Sequence, residues 1–129
     1  MRVIMEKKIL VVDDEPGDRK KMVMALEKEG YSVMEASGAE EALNKSREML
    51  PDLVITDVLM PDTTGFDLCR KIKEALHSHP PLVLMVTGKA AGINIHLANH
   101  MGADGFEAKT HDMSLVLKAV RNIFSGNKH

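Results

Sequence analysis

At 129 residues the chain has room for one domain with its own core and none for a second. Its formal charge of -2 comes from 17 basic and 19 acidic residues that interleave along the chain, which excludes the basic footprint of a domain that binds nucleic acid on its own. A single cysteine, Cys69, excludes an internal disulfide and fits a reducing compartment, and the longest apolar run, LVLMV, is far too short to span a bilayer. A soluble cytoplasmic protein without a membrane segment is expected.

In chain order, Ile9 to Val12 forms the first buried strand, and a helix begins near Pro16, suited to a first turn, and stops at Gly30, suited to a C-cap. Met22, Ala25 and Leu26 form its inward stripe. Tyr31 to Ala36 alternates as a strand, and Ala39 to Leu50 follows as a helix that buries Ala42, Leu43 and Met49 before Pro51. Leu53 to Ile55 is the third strand. The third helix runs from near Phe66 to His77 and buries Leu68, Ile72 and Leu76, with Cys69 as a small, half-buried residue. Leu82 to Val86 is the fourth strand. A weakly patterned fourth helix over Ala90 to His100 is diluted by Gly92 and Asn94, and is expected to be the most mobile. Gly105 to Ala108 is the fifth strand, and Met113 to Phe124 the last helix, patterned through Val116, Ala119, Val120 and Ile123. Strands alternating with helices five times predict an α/β fold whose parallel sheet is covered on both faces.

Open α/β sheets bind ligands at the C-terminal ends of their strands. Asp13 and Asp14 end the first strand, Asp57 ends the third, Thr87 ends the fourth and Lys109 follows the fifth. Four strands therefore deliver three carboxylates, a hydroxyl and an ammonium to one edge. Carboxylates brought this close repel unless a cation sits among them. The set describes a Mg²⁺ site beside a phosphoryl pocket, since Mg²⁺ takes a few carboxylate oxygens plus waters and a phosphoryl group takes metal, ammonium and hydroxyl donors.

The segments ILVVDDE, PDLVITDVLMPDTTGFDL, LVLMVTG and GADGFEAK, in this order and spacing, resemble the receiver domains of two-component response regulators, the chemotaxis-type single-domain regulators among them. The likeness extends from about Lys8 to Phe124, and a single receiver domain over residues 1–129 is expected. The resemblance implies a doubly wound, flavodoxin-like sheet of five parallel strands in the order 2-1-3-4-5. It implies Asp57 as phosphoacceptor, with Asp13, Asp14 and the backbone carbonyl of Leu59 joining it around Mg²⁺. Lys109 and Thr87 then contact the phosphoryl group, and Phe106 matches the family's aromatic switch residue. The implied donor is a phosphohistidine on a sensor histidine kinase or a histidine phosphotransfer protein. Output passes to a downstream protein through the surface of the fourth helix, fifth strand and fifth helix, which carries His100, Lys118 and Arg121. Such a chain catalyses only its own phosphorylation and dephosphorylation.

Three positions depart from the family pattern. Thr110 replaces the usual proline after Lys109, Gly88 stands where a small alanine is usual, and Leu59, two residues beyond the acceptor, cannot hydrogen-bond a water. The last favours slow self-dephosphorylation. It also ranks a Mg²⁺-dependent phosphohydrolase last, because that chemistry wants a second acid at the position of Leu59. A scaffold with a vestigial acid site draws its support from Thr110 alone. His96 and His100, spaced i, i+4, are read as exposed polar residues rather than metal ligands. Val23 and Met24, off the inward stripe near Lys20 and Lys28, are read with equal weight as flank packing or as a docking patch.

Overall fold

The computed structural model describes residues 6–88 and 102–126. The expected fourth helix, with His96 and His100, lies outside them. Five parallel strands, β1 (Lys8–Val12), β2 (Ser32–Ala36), β3 (Leu53–Asp57), β4 (Leu82–Thr87) and β5 (Gly105–Ala108), form one sheet in the order β2-β1-β3-β4-β5. This is the doubly wound order, and it puts the reversal of strand order between β1 and β3. Register pairs Val12 with Thr56, Asp57 with Val86 and Thr87 with Ala108, so the three strands that carry the acids and the threonine end level with one another.

The strands are apolar on both faces because helices cover both. Leu10, Val12, Val54, Val83 and Met85 point to one side, against helices α2 (Ala39–Met49) and α3 (Gly65–Ala75) through Ala42, Leu68, Cys69 and Ile72. Ile9, Val11, Leu53, Ile55, Leu84 and Val86 point to the other, against α1 (Pro16–Lys28) and the C-terminal helix (Ser114–Phe124) through Met22, Leu26, Val116, Ala119 and Val120. The period of two along each strand thus builds two separate cores. Cys69 is fully buried rather than half-buried, and burial pushes its thiol up to about 11, so it is an inert core residue.

Helix boundaries follow local chemistry. Glu15 caps α1 by accepting from the Gly17 N–H, Pro16 takes the first helical position, and Gly30 leaves the helix at φ 95°. Leu50 closes α2 in the left-handed region at φ 50°. The third helix begins one residue earlier than the sequence pattern places it and ends two earlier. Thr64 caps it by accepting from the Asp67 N–H, and Leu76 closes it ahead of the Pro80–Pro81 pair. Lys73 then spans the gap, donating to the Pro81 carbonyl and to Asp104, which also accepts from the Val83 N–H.

One core position works against the fold. Ser46 on α2 is fully buried, and its hydroxyl finds no hydrogen-bond partner among the described residues. A buried unsatisfied hydroxyl costs about 1–3 kcal/mol, and alanine is the better helix former. Ser46→Ala is therefore expected to raise stability by about 1 kcal/mol in urea denaturation. A lower midpoint would mean that the hydroxyl has a partner after all.

Candidate functional site

The level strand ends bring the expected residues together. Asp13, Asp14 and Asp57 each offer one carboxylate oxygen, and these oxygens lie within 4.8 Å of one another. Asp13 is buried, Asp57 half-buried and Asp14 exposed, so the cluster opens to solvent on the Asp14 side. Lys109 reaches over from the end of β5 with its ammonium almost wholly buried. Its Nζ donates to Asp13 Oδ2 at 2.7 Å, to Asp57 Oδ2 at 3.2 Å and to Asp18 Oδ2 at 3.2 Å. Thr110 does not displace it: the Lys109 N–H donates to the Thr87 carbonyl at 2.8 Å, which extends the sheet by one rung beyond β5. Thr110 instead donates its hydroxyl to Asp112, which accepts the Ser114 N–H at the start of the C-terminal helix.

Asp13 and the backbone of Asp57 are held by their neighbours. Asp13 accepts from the Glu15 N–H at 2.9 Å through the oxygen that Lys109 does not use, and its own N–H donates to the Ala36 carbonyl. Arg19 on α1 donates from Nη1 to the Asp13 carbonyl at 2.7 Å and from Nε to Glu35 on β2 at 2.8 Å. This clamps the β1 tip between α1 and β2. On the other side Gly65 packs against the backbone of Asp57 so closely that a Cβ there would overlap the Asp57 carbonyl and stand 3.0 Å from Met85 Sδ. Its N–H donates to the Val58 carbonyl at 2.7 Å.

The loop after Asp57 is a small antiparallel bridge between Leu59 and Thr64. Its hydrogen bonds run from Met60 N–H to Thr63 and from Gly65 N–H to Val58, so the bridge does not consume the Leu59 carbonyl. The Leu59 side chain is 65% exposed and brings no polar group to the acids. Thr87 is buried at the end of β4, and Phe106 lies on β5 opposite Met85, packed against the α2–α3 core. Gly88 has open space where a Cβ would stand, so no steric demand excludes alanine there.

Electrostatics follow from this packing. Burial pushes the Asp57 carboxyl above its ordinary value; Lys109 pulls it down and the Asp13 charge pushes it further up. Burial also works against the Lys109 charge. The hydrogen bond and charge of Asp13, together with the charge of Asp57, outweigh burial and hold Lys109 firmly protonated. The two directions are compatible, since the ammonium sits nearest Asp13 and is shared, so Asp57 receives only part of its compensation.

Three carboxylate oxygens at this spacing suit a hard divalent cation. Asp13, Asp14 and Asp57 would supply the carboxylate oxygens such an ion takes, with water completing its shell.

The sequence pattern of the response regulator receiver domain matches residues 9–121. The chain belongs to that family. It is a receiver domain of the two-component type, the phosphorylation-dependent signalling module. Among curated relatives it is 38% identical to the alkaline phosphatase synthesis transcriptional regulatory protein PhoP of Bacillus subtilis, over 81% of this chain and 43% of that protein. It is 29% identical to PilH of Pseudomonas aeruginosa, over 92% of this chain and 98% of that protein. The chain thus spans less than half of the PhoP regulator and nearly all of PilH. Among solved structures, Vibrio cholerae chemotaxis protein CheY4 superimposes with a TM-score of 0.84 at 28% identity, covering 92% of this chain and 99% of that one. A response regulator receiver domain from Clostridium thermocellum gives 0.81 at 32% identity, covering 93% and 95%.

Two contributors to this receiver site escape a reading by strand tips alone. Asp18 sits on the first turn of α1, and Gly65 opens α3. Asp14 lies ahead of the N-cap Glu15, so no helical periodicity links it to Asp18, and only the contact with Lys109 reveals the first. Only the close approach of two backbones explains the second. Of the apolar pair on α1, Val23 packs against the core while Met24 stays exposed, lining a shallow cleft with Lys21, Lys28 and Leu117.

Gly65→Ala is expected to cost about 1–3 kcal/mol of stability, as overpacking does, and to displace the Asp57 backbone. Unchanged Asp57 and Val58 amide shifts in the variant would contradict the close contact. A second expectation concerns pH. A carboxylate whose folded pKa is raised favours folding at pH below its unfolded value, and that stability is lost as pH rises through the folded value. At pH 7, therefore, Asp57→Asn should unfold at higher urea than wild type. The gap should narrow as pH falls through the carboxylate range. A variant less stable than wild type at pH 7 would reverse the assignment.

Proposed function

We propose that Asp57 accepts a phosphoryl group from a phosphohistidine on a sensor histidine kinase or a histidine phosphotransfer protein, and that Asp13, Asp14, Asp57 and the Leu59 carbonyl hold Mg²⁺ for this step. The observation that carries the reading is the convergence of three carboxylate oxygens within 4.8 Å beside a buried ammonium that already touches Asp57. In the transfer, an Asp57 carboxylate oxygen forms a bond to phosphorus as the P–N bond of the phosphohistidine breaks. The electron pair of that bond returns to the imidazole nitrogen. Bound Mg²⁺ supplies charge neutralisation on the transferring phosphoryl oxygens.

The chain's own residues do the rest. A carboxylate nucleophile carries no proton to remove and needs no general base, so alignment and charge neutralisation dominate the barrier. Lys109 is protonated and can donate to a phosphoryl oxygen once one of its present carboxylate contacts opens. The Thr87 hydroxyl, one residue beyond the partner of Asp57 at the end of the neighbouring strand, supplies a second donor. Leu59 excludes a polar group from the approach of water, which favours a long-lived acyl phosphate. Movement of Thr87 toward the phosphoryl group changes the space available to Phe106 and shifts a pre-existing equilibrium of the β5 surface. A downstream protein that reads that surface receives the signal.

Acetyl phosphate with Mg²⁺ should add one phosphoryl mass to the intact chain, and Asp57→Asn should add none. Asp14→Ala should abolish measurable Mg²⁺ binding by NMR while the fold persists. Labelling of the Asn variant at the wild-type rate would refute the acceptor assignment, and unchanged Mg²⁺ affinity in the Ala variant would refute the metal set.

A further inference from the structure

Lys109 has three N–H donors, and all three are engaged by carboxylates: Asp13 at 2.7 Å, Asp57 at 3.2 Å and Asp18 at 3.2 Å. Asp13 and Asp57 belong to the cluster whose oxygens lie within 4.8 Å of one another, and Asp18 does not. It reaches the ammonium from α1, outside the cation set. With three donors on three acceptors, Lys109 has none left for a phosphoryl oxygen. One contact must therefore open when a phosphoryl group arrives.

The three contacts are unequal. Asp13 makes the shortest and is buried, and Asp57 carries the incoming group. Asp18 makes a long contact with a side chain 40% exposed, so water can replace Lys109 there at least cost. We propose that Asp18 is a positioning residue that competes with the phosphoryl group for Lys109. It holds the ammonium's third donor in the unphosphorylated state and must release it for the phosphorylated state to form. This rests on the reading of Asp57 as phosphoacceptor.

Charge adds to the competition. Phosphorylation converts the single negative charge of Asp57 into a group of about two negative charges. Asp18 repels that added charge while offering Lys109 an alternative partner. Toward a divalent cation alone its sign is opposite, because a nearby carboxylate favours a cation. Asp18 thus biases the site toward holding a metal without a phosphoryl group. A carboxylate serving only the N-terminal end of α1 would have no such opposed effects.

The test uses the full chain as wild type, Asp18→Asn and Asp18→Glu, with beryllofluoride as the phosphoryl mimic on Asp57 at saturating Mg²⁺. Binding is followed by NMR, since the chain has no tryptophan. Asp18→Asn is expected to bind beryllofluoride about two- to fivefold more tightly, the scale of a partly exposed ion pair, while its affinity for Mg²⁺ alone stays equal or falls. Asp18→Glu should restore wild-type behaviour. In a Lys109→Gln background the Asp18→Asn gain should disappear, because no ammonium remains to be released. Equal or weaker beryllofluoride binding by Asp18→Asn, or a gain that persists without Lys109, overturns the competition while leaving the acceptor reading intact. Failure of wild type to bind beryllofluoride at all overturns both.

Discussion

Everything at the strand tips depends on one buried ammonium set among like charges. Asp13, Asp14 and Asp57 cluster closely enough to repel, and two unit charges about 4 Å apart interact by roughly 4 kcal/mol at an effective dielectric of about 20. Lys109 offsets part of that repulsion, with its closest approach to Asp13. Burial first, and then the Asp13 charge, keep the Asp57 carboxyl above its ordinary value despite the lysine beside it. A site in this condition favours whatever brings positive charge to it, which is the electrostatic basis for a cation and a phosphoryl group arriving together.

The sheet makes the arrangement unavoidable. Parallel strands all end at the same edge, and the registers of β1 with β3 and of β3 with β4 hold Asp13 beside Asp57 and Thr87 one residue further along. Two apolar cores, one on each face, fix the strands so that the tips cannot spread to relieve the repulsion. The loops are held as tightly: Arg19 clamps the Asp13 carbonyl to β2, and Gly65 lets α3 press against the backbone of Asp57. Apolar burial in the body of the domain sustains a charge cluster that is unfavourable by itself, as functional sites commonly are.

The order of elements and both helix faces were legible in the sequence because period-two strands and helical stripes are local patterns. Met22 and Leu26, Leu68 and Ile72, and Val116 with Val120 all fall where periodicity places them. The buried Ser46 was not legible, since a serine on a helix gives no apolar signal. At the site, the five residues that end or follow strands could be read from their positions, and Lys109 is in place despite Thr110, because the backbone bond to Thr87 rather than a proline extends the sheet there. Asp18 and Gly65 could not be read that way. Their roles come from packing between α1 and β5 and between α3 and β3, and such contacts between distant segments leave no local pattern.

Repulsion among these carboxylates is stored in the fold and relieved by positive charge. The most direct measurement is the thermal midpoint of Lys109→Gln across a Mg²⁺ titration at constant ionic strength, beside wild type. Without Mg²⁺ the variant should melt well below wild type, having lost the ammonium that contacts Asp13 and Asp57. Millimolar Mg²⁺ should recover most of the loss, and should raise the variant by more than it raises wild type. A variant that melts with wild type in the absence of Mg²⁺, or whose deficit Mg²⁺ does not reduce, would contradict the account.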